Sequence, residues 1–202
     1  MPDEALTRLG MPVPDTTLAR RARELITDVA PAWLVNHSVR VYAWAIDLAR
    51  HDRLQFDPEI LYVAALLHDI GLVPAFDRGG CYDIDGAIAA AGLMRDGGEP
   101  EARARIIYDA IALHNDIELP PDSAAEVVLI WDATGVDVTG ERYADIEPAI
   151  IPVVLAAYPR IDFKREFTAR FVDQVARRPG CPAVQLAAAG IVDAIAQAPF
   201  DS

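Results

Sequence analysis

The sequence predicts an all-α fold: one domain of seven to nine helices. Three observations carry the helical part of that reading. Helix start and stop signals recur along almost the whole chain. No segment shows convincing strand alternation, and no Asn-Gly hairpin signal is present. No linker or internal repeat divides the 202 residues, a length that suits one domain.

The elements follow in order. Asp15-Thr16 is placed to cap a helix running to about Ala30. Pro31 suits the first turn of the next, which carries AWLVNHSVRVYAWAIDLARHD. Asp57-Pro58-Glu59 joins a capping side chain, a proline at N1 and an acid in the first turn. That helix is expected from Pro58 to about Asp69, with Gly71 supplying the stop. Residues 72–82 read as a loop. DIDGAIAAAGLMRD reads as a helix closed by Gly97-Gly98, and Pro100 opens PEARARIIYDAIALHN. Asp122-Ser123 is expected to cap a helix through AAEVVLIWDATGVDV. Three further helical stretches are expected near 145–158, 162–178 and 183–197.

Composition narrows the function. Hydrophobic residues make up 52% and charged residues 24%, enough for a sizeable core. The formal net charge is −13 and the only lysine is Lys164, which argues against a surface that tracks nucleic acid. The apolar runs AIIPVVLAAY and ILYVAALL fall short of the roughly 18 residues of a membrane span. MPDEALTRLG lacks the pattern of a secretory leader. Cys81 and Cys181 lie far apart without a CxxC, and the expectation is two reduced thiols in a cytoplasmic protein. Self-association into a homo-oligomer is left open.

The stretch ALLHDIGL, residues 64–71, poses the chemical question. An apolar segment built to be buried ends in His68-Asp69. A buried carboxylate is costly unless paired or bound to a cation. Adjacent helical residues leave the axis about 100° apart, yet an imidazole and a carboxylate in a last turn can converge on one point. Either the pair is satisfied structurally or it holds a metal. His37 lies 31 residues upstream, and Asp137 sits at a helix end followed by Gly140. His51, at a polar helix end, reads as solvent-exposed.

The order H…HD…D resembles the HD-domain superfamily of metal-dependent phosphohydrolases. Five segments, NHSVRVYAWA, ALLHDIGL, CYDIDGAIAAAGLM, IALH and GVDVTG, are similar to the cyanamide-hydratase-like branch. The resemblance covers roughly residues 30–145, and the helices of 145–198 are expected to pack on that core. It implies that His37, His68, Asp69 and Asp137 are metal ligands. Asp132 is the rival for the fourth place, and Asp137 is preferred because it stands three residues before a glycine, as in the family pattern. The implied cofactor is one divalent transition metal, Zn²⁺, Mn²⁺, Fe²⁺ or Ni²⁺. His114 matches a histidine that faces the site in the family; the alternative is a capping or half-buried histidine.

Tyr82, Asp83, Asp85, Gly86 and Ala87 follow the branch pattern closely. Asp83 and Asp85 suit a helix N-terminus, and Asp83 is also a candidate base. Arg40 is a candidate to orient substrate or to pair with a ligand carboxylate.

The reaction implied is attack of a metal-activated water on a small molecule, either hydration of a C≡N bond or hydrolysis. A phosphohydrolase of a nucleotide or another phosphate ester is the alternative, and a non-catalytic metal-binding or regulatory protein is a third. Only Arg40, Arg78 and Arg142 are expected near the site, which favours a compact neutral substrate over a polyphosphate. The cavity is expected to be small, bordered by His114 and the 76–86 loop, with walls from YVAALL and AIALH.

Overall fold

A computed structural model describes residues 4–201 of the protein. The missing leader expected for MPDEALTRLG rests in part on residues 1–3, which lie outside the described residues. The all-α expectation holds. Among the described residues the α-helices are α1 (Glu4–Arg8), α2 (Thr17–Val29), α3 (Ala32–Asp52), α4 (Pro58–Leu67), α5 (Tyr82–Asp96), α6 (Glu101–Ala112), α7 (Ala125–Thr139), α8 (Ile151–Ala157), α9 (Phe163–Arg177), α10 (Pro182–Ala188) and α11 (Ile191–Gln197). Short 3-10 turns occupy Ile70–Leu72 and Tyr143–Asp145, and no strand occurs among the described residues.

The eleven α-helices exceed the expected seven to nine for two reasons. Helix α1 lies in a stretch for which no helix was expected. The expected 183–197 helix breaks at Gly190, whose φ of +90° is open to glycine but costly for other residues.

Capping explains the early boundaries. Thr16 Oγ1 accepts from the Ala19 amide at 3.0 Å, and Asp57 Oδ1 accepts from the amides of Glu59 and Ile60 at 2.9 and 3.2 Å. The expected cap at Asp122-Ser123 is corrected. Helix α7 begins at Ala125 with no side-chain cap, and the Ser123 hydroxyl donates to the Pro120 carbonyl at 2.7 Å.

Helix α4 explains the apolar run before the histidine. It packs against α2, α3, α6 and α7, so almost every face is covered, and all residues from Ile60 to Leu67 are buried. A helix enclosed on all sides is apolar on all sides. Gly71 is not the left-handed stop expected. A Cβ there would lie 1.9 Å from the Tyr82 carbonyl oxygen, so the glycine lets the chain after α4 press against the start of α5. That contact sets the ends of the HD and CYDIDGA segments side by side.

Helix α3 runs against α7 and α4 and buries Trp44, Tyr42 and Ile46 in the main core. A second apolar cluster gathers Trp33 and Leu34 of α3 with Phe163, Phe167 and Phe171 of α9, Ala183 of α10 and Ile195 of α11. The C-terminal helices are thus held to the core by stacked aromatic rings and by one covalent link. No helix among the described residues is long and apolar enough to cross a membrane.

The expectation of two reduced thiols is corrected: Cys81 and Cys181 form a disulfide. With it falls the cysteine argument for a reducing compartment. The bond joins the residue before α5 to the residue before α10 and closes a loop of 100 residues. Closing a loop of that length restricts the unfolded chain. Reduction by a dithiol, or the Cys81→Ser/Cys181→Ser double variant, is expected to lower stability by about 2–5 kcal/mol. Thermal unfolding with and without reductant reads the change, and an unchanged midpoint would contradict the bond.

Arg142 ties the end of α3 to α7. Its guanidinium donates to Asp52 Oδ1 and Oδ2 at 2.9 and 2.8 Å, to Asp132 Oδ2 at 2.7 Å and to Asp145 Oδ2 at 2.8 Å. The bonds from Arg142 to Asp52, with a smaller contribution from His51, lower the Asp52 pKa from 3.8 to about 2. A carboxylate with a depressed folded-state pKa stabilises the fold above its unfolded pKa and loses that contribution as pH falls through the folded value. Wild-type protein should therefore lose this increment between about pH 4 and pH 2, and Arg142→Met should lack it. Denaturant midpoints across that window measure the difference.

Candidate metal centre

Two helix ends and the first half of α3 deliver imidazoles to one point. His68 follows the last residue of α4, and its Nδ1 donates to the Ala65 carbonyl at 2.8 Å. His114 lies just beyond α6, and its Nδ1 donates to the Ile111 carbonyl at 2.6 Å. Both use a carbonyl three residues back, one of the acceptors a helix C-terminus leaves open. His37 sits within the first half of α3, where its Nδ1 donates to Asp137 Oδ2 at 2.7 Å.

With each Nδ1 facing an acceptor, the hydrogen-bond pattern places the ring proton there and leaves a lone pair on each Nε2. The Nε2 atoms of His37 and His68 are 3.1 Å apart. Asp69 Oδ2 lies 3.3 Å from each of them, and Asp69 Oδ1 lies 3.3 Å from His114 Nε2. Asp69 Oδ1 is buried and has no hydrogen-bond partner. Burial lowers the His68 pKa, against the opposing pull of Asp69. Burial alone would raise the Asp69 pKa, but the surrounding histidines, His68 foremost, hold it well below the carboxylate range. Lone pairs and a carboxylate facing one another in a dry site are the donor set a cation requires. His37, His68 and Asp69 offer ligand atoms within 4.8 Å of one another, a spacing that fits one metal ion.

Asp137 stands elsewhere than a fourth ligand would. It is fully buried behind the His37 ring. Its Oδ1 accepts from Arg40 Nε at 2.9 Å and Trp44 Nε1 at 2.8 Å, and its Oδ2 accepts from Arg40 Nη2 and His37 Nδ1, both at 2.7 Å. Arg160 adds a charge contact at 3.4 Å. Against the cost of burial, these partners, Arg40 first, keep its pKa well below the ordinary value. The rival Asp132 is bound to Arg142, away from the imidazoles.

Arg40 pairs with the Asp137 carboxylate and is absent from the cavity lining. It is fully buried, and its remaining donors reach the Tyr158 and Pro159 carbonyls at 3.1 and 3.4 Å. Asp85 closes the loop before α5 by accepting from the amides of Arg78 and Gly80 at 2.7 and 3.2 Å. Asp83 accepts from the Ile84 amide at 2.8 Å and leaves Oδ2 buried without a partner. Burial raises its pKa. Asn115 Nδ2 lies 3.0 Å from His114 Nε2, and the Tyr82 ring meets His114 edge-on. His51 is at the surface beside Asp52, as expected.

A cavity of about 340 Å³ opens onto His37, His68, Asp69 and His114. Its walls differ from those expected. The 76–86 loop contributes nothing to them. They come from α7 (Trp131, Thr134, Gly135, Val138), from Phe167 of α9 and from Leu186, Gly190, Ile191 and Ala194 around the break between α10 and α11. Arg40, Arg78 and Arg142 are absent from the lining, which contains no lysine or arginine. Sequence reasoning also missed Phe163, whose ring stacks on His37 with centroids 4.6 Å apart, and Arg160, which lies over Phe163.

Comparison with known proteins agrees with this geometry. The family model described as "HD domain" matches residues 34–137, more than half of the chain. Two relatives in Saccharomyces cerevisiae, cyanamide hydratase DDI2 and cyanamide hydratase DDI3, are each 25% identical over 177 residues. Each alignment covers 85% of this chain and 79% of the relative.

The different placements of Asp69 and Asp137 lead to different outcomes on substitution. Asp69→Asn should abolish stoichiometric uptake of a divalent transition metal. Asp137→Asn should retain uptake with affinity weakened roughly 10–100-fold, as for a residue that orients a ligand. Metal titration of both variants, with circular dichroism to confirm folding, separates the two.

Proposed function

Because the chain belongs to the HD-domain family, a superfamily of metal-dependent hydrolases, we propose that it is an enzyme adding water to a small neutral molecule, with a C≡N group as the preferred target. The observation that carries this reading is the cavity: it ends at the imidazole-carboxylate cluster and has no lysine or arginine in its walls. A phosphate ester would call for Arg or Lys donors. The weak similarity to two cyanamide hydratases supports the same choice of chemistry.

His37, His68 and Asp69 are the residues we assign to hold a divalent metal. Such an ion, when bound, acidifies water and polarises an electrophile. The chain's own groups do the rest. Asp137, with Arg40 and Trp44 behind it, fixes the His37 ring and its tautomer. Arg40 is therefore a positioning residue in this reading. His114 faces the cavity with Nε2 and is the group assigned to exchange a proton with substrate. Burial opposes its charge, but Asp69 and the Ile111 carbonyl raise its pKa above the ordinary value. Asp83, held largely out of water nearby, supports that positive charge and is a reserve proton acceptor. In the proposed hydration the water oxygen bonds to the nitrile carbon. One water proton goes to the nitrile nitrogen, and the second follows as the product becomes an amide.

Metal-loaded protein assayed against cyanamide, simple nitriles, a nucleoside monophosphate and a nucleoside triphosphate should hydrate the neutral compounds and leave the phosphates intact. His114→Ala should lower turnover at least about 100-fold, as for loss of a proton-transfer group. Turnover of the triphosphate with every neutral compound untouched would replace this reading with a phosphohydrolase.

A further inference from the structure

We infer that the substrate has an apolar body of several carbon atoms beyond its reacting group, and that the broken α10–α11 segment is the surface that selects it. This rests on the proposed small-molecule reading and narrows its substrate class.

The first observation is size. Cyanamide has three heavy atoms and needs about the room of two waters, roughly 60 Å³. The cavity measures about 340 Å³, inside the range of sites that hold far larger ligands. A three-atom substrate would leave most of it to water.

The second is the chemistry of the wall. The titratable groups His68, Asp69 and His114 converge on one point of the wall, and the apolar part of the lining is the larger part. That part is carried largely by Val138, Phe167, Leu186, Ile191 and Ala194. Ile117 adds to it with 57% of its surface exposed, among the few large apolar residues left that open. An isoleucine kept in water beside a cavity is explained if it packs on ligand. The acids Asp116 and Glu141 also line the space, with no lysine or arginine beside them in the walls. They repel an anionic tail.

The third is how the wall is built. Gly190 breaks what would be one helix, and the residues on either side, Ala189 and Ile191, both line the cavity. The segment is fixed to the core at its start by the Cys81–Cys181 bond and at its far end by Ile195 packed in the aromatic cluster. The metal-binding cluster contains no residue from it. A wall anchored at both ends and separate from the reactive groups is suited to selecting the substrate's body.

Trp131 lines the cavity and provides a binding signal independent of turnover. Metal-loaded protein is titrated with straight-chain primary amides and nitriles of two to eight carbons while tryptophan fluorescence is followed. Affinity should rise with chain length by about two- to fourfold per methylene until the cavity is full. Ala194→Phe, which fills the wall, should remove that gain for the long members and leave the shortest unchanged. Ile191→Ala should flatten the series without altering metal content. Affinity that is flat or falls with chain length, or no binding at any length, would overturn the inference. A rising series on protein that turns over none of these compounds would sustain it and count against the proposed hydration alone.

Discussion

The arrangement depends on one buried carboxylate. Asp137 has no access to water, and an ionised group there is tolerated only because donors surround it. Those donors come from α3 at positions 37, 40 and 44 and from Arg160 in the loop before α9, while the carboxylate itself belongs to α7. Satisfying one charge therefore fixes α3 against α7 and brings the loop before α9 onto both. It also decides which nitrogen of His37 carries the proton, and so which nitrogen is free to face Asp69. Removing any single donor would leave the others holding an underpaired charge, which is why such networks lose more than one hydrogen bond at a time.

Around that hub the fold uses one device twice. The buried apolar α4 and the amphipathic α6 are each followed by Leu-His or end in it, at 67–68 and at 113–114, and each imidazole turns back to a carbonyl of its own last turn. A helix C-terminus offers unpaired carbonyls and the negative end of its dipole. The ring is thereby oriented without any side-chain partner, and its other nitrogen projects beyond the helix end. Two helix ends brought to one place thus present their histidines to the same carboxylate. The close approach of Gly71 to Tyr82 allows the following segment to stay near.

Much of this was legible in the sequence. The proline and aspartate at 57–58 announced α4, and an apolar run ending in His68-Asp69 announced a buried charge in need of a partner. His37, Arg40 and Trp44 fall at i, i+3 and i+7, one face of a helix, and all three reach Asp137. What the letters could not supply was orientation. An aspartate that ligates and an aspartate that steadies a ligand are the same residue type, and only the geometry around His37 distinguishes them. The disulfide was hidden because its cysteines are separated by 100 residues with no local spacing to mark them. The cavity wall was hidden because small and apolar residues such as Ala189, Ile191 and Ala194 look like ordinary helix filling until the break at Gly190 places them.

That break has a consequence for how such a protein can diverge. The reactive groups sit between His37 and Asp137, whereas much of the wall facing them comes from Phe167 onward. In the proposed reading, chemistry and selectivity occupy largely separate stretches of the chain. Exchange of the short terminal segment between relatives could therefore pass on a new preference while inheriting the old reaction intact. The reverse does not hold. A change near Asp137 disturbs charge pairing that joins α3, α7 and the loop before α9, whereas the terminal segment lies outside that network.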